Sequence, residues 1–184
     1  EDLFVRNTGL IALSGGILGS IGQALFRGDY AKAKDVAQEW AERFSGRYYL
    51  EISRTGKPEE ENYINGVLKL SEELGLPVVA TNDVRFIDPE DFEAHETGVC
   101  IHEGRSLDDP RRSRKYSPDQ YLRPPSEMLE LFSDIPEAIE NSVAIAKRCT
   151  VGLELGDYHL PNYPLPEGVT LEDFLENQAR EGLA

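Results

Sequence analysis

Leu76 to Gly104, LPVVATNDVRFIDPEDFEAHETGVCIHEG, is the stretch that decides the fold. Gly75 and Pro77 end a preceding helix, because glycine accepts the left-handed cap and proline cannot extend the helical ladder. Val78-Val79-Ala80 is a short apolar run of the kind found in a strand covered on both faces. Thr81-Asn82-Asp83 then puts polar groups at the strand's carboxyl end, where α/β folds keep their chemistry. Asp88-Pro89 combines an N-cap residue with proline at the first helical position. A helix carrying Phe92, His95, Val99 and His102 is predicted after it. Asp83 therefore stands at the functional edge of a strand–loop–helix unit.

Upstream, Leu10 to Leu13 reads as a buried-type strand that runs into Ser14-Gly15-Gly16. The glycines invite a phosphate-binding reading, but neither G-x-G-x-x-G nor a P-loop Gly-Lys-Ser/Thr is present, and a tight turn accounts for them. Asp29 caps a helix through Phe44, with Ala33, Val36, Ala37, Trp40 and Phe44 on one face, so Trp40 belongs to the core. Tyr48 to Ile52 is a second strand. Pro58 to Leu74 is a second amphipathic helix, with Tyr63, Val67, Leu70 and Leu74 inward. The order strand, helix, strand, helix, strand predicts an α/β fold with parallel strands and crossover helices, as an open sheet or part of a barrel.

Downstream the character changes. Arg111, Arg112, Arg114 and Lys115 are the densest positive charges in an acidic chain. They read either as a contact to phosphates or an acidic partner, or as a solvated loop that offsets nearby carboxylates. Short helices are expected at Ser117-Pro118 and at Ser126. A longer one is expected from Pro136 to Cys149, with Ile139, Val143 and Ala146 inward and Cys149 buried. His159 to Pro166 is an extended connector, and Thr170 with Asp173 caps a last helix. Its Phe174, Leu175 and Leu183 lack a partner surface.

The 184 residues carry a formal net charge of −15, which argues against free nucleic acid as a ligand of the chain as a whole. Cys100 and Cys149 make no disulfide framework, and no run approaches the ~20 apolar residues of a membrane span. A cytoplasmic location is expected. The opening Glu1-Asp2 and the unpartnered last helix predict a segment of a longer chain. Metal chemistry has weak support. His95 and His102 lie two helical turns apart, about 10 Å along the axis, and H-E-x-x-H fails at Val99. Ser14 lacks the G-x-S-x-G of a nucleophile elbow. On the residues alone, this is an α/β module with no working active site of its own.

Several blocks carry a resemblance: ALSGG at Ala12 to Gly16, YYLEISRTGKPEEENY at Tyr48 to Tyr63, LPVVATNDVRFIDPEDFEAHE at Leu76 to Glu96, LDDPRRSRKYSPDQYL at Leu107 to Leu122, and DIPEAIENSVAIAKRC at Asp134 to Cys149. Together they resemble the bacterial DNA polymerase III alpha subunit family, over nearly the whole chain. The resemblance implies a distorted PHP-type α/β barrel (polymerase and histidinol phosphatase) followed by a mostly helical connecting segment. Residues 1–104 would be the C-terminal half of the PHP domain, 105–160 its helical extension, and 161–184 a linker into the palm.

Family members with an intact PHP site hold a metal cluster and can act as an exonuclease. Their pattern has Cys where this chain has Gly16, and Asp-x-His where it has Asp83-Val84-Arg85. The resemblance therefore implies a degenerate metal site at Gly16, Asp83 and Arg85, with no metal bound by this segment and Arg85 pairing with Asp83 or another carboxylate. It implies a non-catalytic scaffold that docks the proofreading exonuclease subunit, epsilon, beside other replicase subunits, with DNA and Mg²⁺ handled by the parent polymerase. A residual metal-dependent phosphoesterase is the alternative.

Overall fold

The structure is a computed structural model that describes residues 5–153, 155–158 and 161–183. It divides into two compact units, Glu1–Cys149 and Thr150–Ala184.

The first unit is built on a parallel three-stranded sheet ordered β1 (Ala12–Leu13), β2 (Tyr48–Ser53), β3 (Val78–Thr81). Ala12 lies opposite Tyr48, and Leu50 opposite Val78. Helices α1 (Ser20–Phe26) and α2 (Tyr30–Arg43) cross from β1 to β2. Helix α3 (Glu60–Leu74) crosses from β2 to β3. This is the α/β arrangement that alternating apolar strands and amphipathic helices require. Asp29 caps α2 by accepting from the Lys32 N–H at 3.0 Å, and Gly75 closes α3 at φ 65°. Ile21, Phe44, Leu50, Ile52, Val67 and Leu70 are fully or almost fully buried between sheet and helices. Each such side chain contributes about 2 kcal/mol of transfer free energy. Helices α4 (Phe92–Glu103), α5 (Pro125–Leu131) and α6 (Pro136–Arg148) follow.

Four expectations are corrected. The first strand is two residues, not four, and Leu10 and Leu13 are 44% and 40% exposed. The Arg47 guanidinium takes the carbonyls of Asn7 and Leu10 at 2.5 and 2.7 Å, which turns the backbone there away from the ladder. No helix forms at Ser117-Pro118. The Ser117 N–H instead donates to the Gln120 side-chain oxygen at 2.9 Å and the Ser117 hydroxyl donates to the Thr55 carbonyl, which makes a turn.

The inward face of α6 is rotated by one residue, about 100°. Ile139 packs half-buried against the core as expected, but Ala138 is buried, Ser142 and Ile145 are half-buried, and Val143 and Ala146 are exposed. The edge of β3 explains the rotation. Asn141 donates to the Val78 carbonyl at 2.7 Å and Ser142 to the Ala80 carbonyl at 2.8 Å. Polar side chains thus take the place of a further strand's N–H groups. Cys149, just beyond the helix, is exposed rather than buried.

The second unit holds α7 (Leu171–Leu183). Thr170 caps it by accepting from the Asp173 N–H at 3.2 Å. Residues 161–166 have no regular structure, while His159 and Leu160 of the expected connector lie outside the described residues. Tyr163 packs on Phe174 with ring centroids 5.4 Å apart, and Leu175 and Leu183 are exposed.

Candidate functional site

The carboxyl ends of the three strands open onto one pocket of about 190 Å³. Gly16, Asp83 and Arg85 all line it, so residues 67 positions apart in sequence are brought to one place by parallel strand order alone. Gly15 and Gly16 enter with φ 80° and 57°, left-handed values that glycine adopts without strain. A side-chain carbon built on Gly16 would meet nothing within 4 Å. The position contributes no donor atom to the pocket.

Asp83 also has positive φ, 43°, and among the described residues it is the one non-glycine that does. Aspartate is one of the few residue types that tolerate this region. The Arg85 guanidinium meets Asp83 Oδ1 at 2.7 Å and lies 5.2 Å from the centre of the Tyr116 ring. Gln120, fully buried, donates to both the carbonyl and the carboxylate of Asp83 at 3.1 and 2.8 Å. Its own carbonyl accepts from the Arg85 N–H at 2.7 Å. Asn82 donates to the carbonyls of Asp119 and Tyr121 at 3.0 and 2.8 Å. The segment 119–121 therefore runs beside the Asp83 loop like a short extra strand, with Phe86 and Tyr121 bridged in parallel.

Glu51 forms the opposite wall. Its Oε1 accepts from the Thr81 hydroxyl at 2.8 Å and its Oε2 from the Gly15 N–H at 3.1 Å. The Tyr63 hydroxyl donates to the Glu51 carbonyl at 2.7 Å, and burial pushes that phenol's pKa well above its ordinary value. Glu60 is buried and accepts from the Thr55 N–H, the Thr55 hydroxyl and the Lys57 N–H, which folds the 54–58 loop over the pocket.

This donor set does not suit a metal ion. Asp83 is neutralised by a guanidinium, both Glu51 oxygens hold local donors, and Gly16 has nothing to offer. Among the described residues no group of three or more His, Cys, Asp or Glu could hold a metal. His95 is occupied elsewhere, packed edge-on to Tyr116 at 4.7 Å and against Phe86 at 5.6 Å.

The four basic residues at 111–115 do not share one surface. Arg112 is drawn inward to Glu96 at 2.5 Å, with 12% and 5% of the two side chains exposed. Arg111 forks onto Asp109, and Lys115 meets Glu103 at 3.1 Å. Hydrogen bonds from the Arg111 side chain and backbone hold Asp109 down to about 2. Arg114 is exposed, without an ion-pair partner among the described residues.

Sequence reasoning missed Glu51 and Gln120. Glu51 was open to detection, as the one charged residue inside the apolar strand YYLEIS. Gln120 sits in irregular chain with no periodicity to single it out.

The PHP domain family matches residues 1–55. The chain is 54% identical over 98% of its length to DNA polymerase III subunit alpha of Escherichia coli (strain K12), and covers 16% of that protein. It is 53% identical over 96% of its length to the subunit of Pseudomonas fluorescens, covering 15% of it. For the Vibrio cholerae subunit the figures are 52%, 95% and 15%. The chain thus spans about one-sixth of the length of the relatives it matches. Identity sustained from end to end, on a parallel α/β sheet with a PHP match, means that the chain belongs to the DNA polymerase III alpha subunit family.

Proposed function

We propose that this segment is the non-catalytic PHP scaffold of a replicative DNA polymerase. The observation that carries the reading is the Asp83–Arg85 ion pair at the strand ends, facing a glycine at position 16. A guanidinium bonded to the acidic residue removes the charge that would attract a cation, and glycine supplies no thiolate. What remains is a well-tied polar site with nothing to activate water.

The parent then transfers deoxynucleotides by two-metal chemistry with Mg²⁺ elsewhere in its chain. This module supports that machinery and docks the epsilon exonuclease subunit and other replicase subunits. DNA is bound through the parent. The cytoplasm is the location that such a role implies, and no helix among the described residues is long and apolar enough to cross a membrane.

The full-length parent tests this. It is assayed with Mn²⁺ or Zn²⁺ on 3′-ended DNA and on phosphate monoesters, beside its Asp83→Ala variant. Rates equal in the two proteins and at background are expected. A metal-dependent rate abolished by Asp83→Ala establishes a residual phosphoesterase instead. Co-elution of the exonuclease subunit with the parent is expected in gel filtration.

A further inference from the structure

Two hollows on the first unit run into each other. The pocket at the strand ends shares Ile17, Glu59 and Tyr63 with a second hollow of about 300 Å³. The second lies between α1 and the start of α3, and Leu25 and Phe26 give it apolar walls. Its rim is apolar as well. Phe26 is 73% exposed, and Leu18, in the 3-10 turn Gly16–Leu18, is 81% exposed. Bulky apolar side chains left open on adjoining elements beside a cleft mark a contact surface.

The other end of the trough is acidic. Glu51, Glu59, Glu60 and Asp83 line it against Lys57 and Arg85. Arg85 is held by Asp83, which leaves one lysine against three carboxylates. Glu51 and Glu59 have no cationic side chain within ion-pair distance among the described residues. An apolar seat that continues into uncompensated negative charge selects an occupant with the complementary pattern.

We propose that this trough docks a segment of a partner protein in which a bulky apolar side chain is followed closely by lysine or arginine. The apolar group seats against Leu18, Leu25 and Phe26, and the cation reaches Glu59. The inference rests on reading the module as a docking scaffold, but not on which partner is docked. Nucleic acid fits poorly, because its phosphates would face carboxylates.

The test titrates a fluorescein-labelled peptide, Gly-Leu-Phe-Gly-Lys-Lys, into the full-length protein and follows anisotropy. Gly-Leu-Phe-Gly-Glu-Glu is the control. The basic peptide is expected to bind about tenfold more tightly than the acidic one, and Glu59→Lys to reverse the order. Glu59→Gln, which leaves the first turn of α3 undisturbed, is expected to erase the preference. Leu18→Ser combined with Phe26→Ser is expected to weaken both peptides about tenfold. Equal binding of the two peptides, or no measurable binding of the basic one, overturns the inference. So does self-association of the wild type that the Leu18→Ser, Phe26→Ser protein loses, since the trough is then a contact between copies. Exonuclease-subunit binding is measured in parallel. If the basic peptide binds as expected and that subunit does not, exonuclease docking fails and the trough stands. If the subunit binds while the peptides ignore the substitutions, the trough alone fails.

Discussion

Gln120 holds Asp83 at two points, its carbonyl and its carboxylate, from a position with no exposed surface. The pairing joins the loop after β3 to a segment 37 residues further on. It also accounts for the left-handed backbone at Asp83, since both acceptors must face the same amide. A conformation that costs roughly 1 kcal/mol in isolation is stabilised here by partly buried hydrogen bonds of about that worth each.

Gln120→Leu is therefore expected to destabilise the module by about 1–2 kcal/mol, because Asp83 and the Ser117 N–H lose three partly buried hydrogen bonds. Hydrogen exchange should speed up first at residues 82–86. If exchange there is unchanged, Gln120 is not what fixes the loop.

Arg85→Ala frees the Asp83 carboxylate while leaving the Gln120 bonds in place. The expected consequence is a small stability change, within about 1 kcal/mol, because both side chains are about 40% exposed and water replaces the ion pair. Isothermal titration with Mn²⁺ should still show no tight binding. A submicromolar site in this variant would show that the guanidinium alone kept metal out.

Asn141→Leu adds apolar area to α6 yet is expected to cost about 1–2 kcal/mol, since the Val78 carbonyl at the β3 edge loses its donor. Urea denaturation of wild type and variant measures this. A stabilised variant would mean that water satisfies that carbonyl equally well.

The same edge shows what sequence can and cannot say. The β2 and β3 strands and the caps at Asp29 and Gly75 were legible, because burial pattern and capping chemistry dictate them, whereas the shared site of Gly16 and Asp83 was implied only by the family resemblance. The inward face of α6 was not. Its Ile139 and Val143 carry the apolar signal, but the facing surface is a row of carbonyls, and Asn141 and Ser142 answer it. Gln120 was invisible for a related reason: its role exists only once Thr55, Asp83 and Ser117 are adjacent in space. The basic cluster was legible as charge but not as partners, since Glu96, Glu103 and Asp109 reach it by tertiary packing and a local turn.

Acid should act through the ion pairs of three carboxylates, of which Glu73 is lowered by a hydrogen bond from Lys34. Hydrogen bonds from Arg111 lower Asp109 to about 2, and a hydrogen bond from Arg54 lowers Asp134. A carboxylate with a depressed folded-state pKa stabilises the fold above its unfolded pKa of about 3.9, and that contribution is lost as pH falls through the folded value. Stability should thus decline from about pH 4 toward about pH 2, and Asp134→Asn should flatten the decline. Thermal melts across this range test it, and a decline beginning above pH 5 would point to other groups.

Glu96 and Arg112 make the most buried ion pair of the chain's basic segment, and its behaviour should differ from that of its neighbours. Lys115–Glu103 and Arg111–Asp109 have one partner well exposed and are screened by salt. Glu96–Arg112 is shielded, so the loop should stay docked on α4 in molar salt. Breaking it from one side leaves a charge in an apolar setting. Arg112→Leu or Glu96→Leu alone is expected to cost about 3 kcal/mol, whereas the double change should cost much less, because two apolar side chains tolerate the same burial. A double-mutant cycle on unfolding free energies gives the coupling directly. Additive single costs would mean that Glu96 and Arg112 are each held by something other than the other.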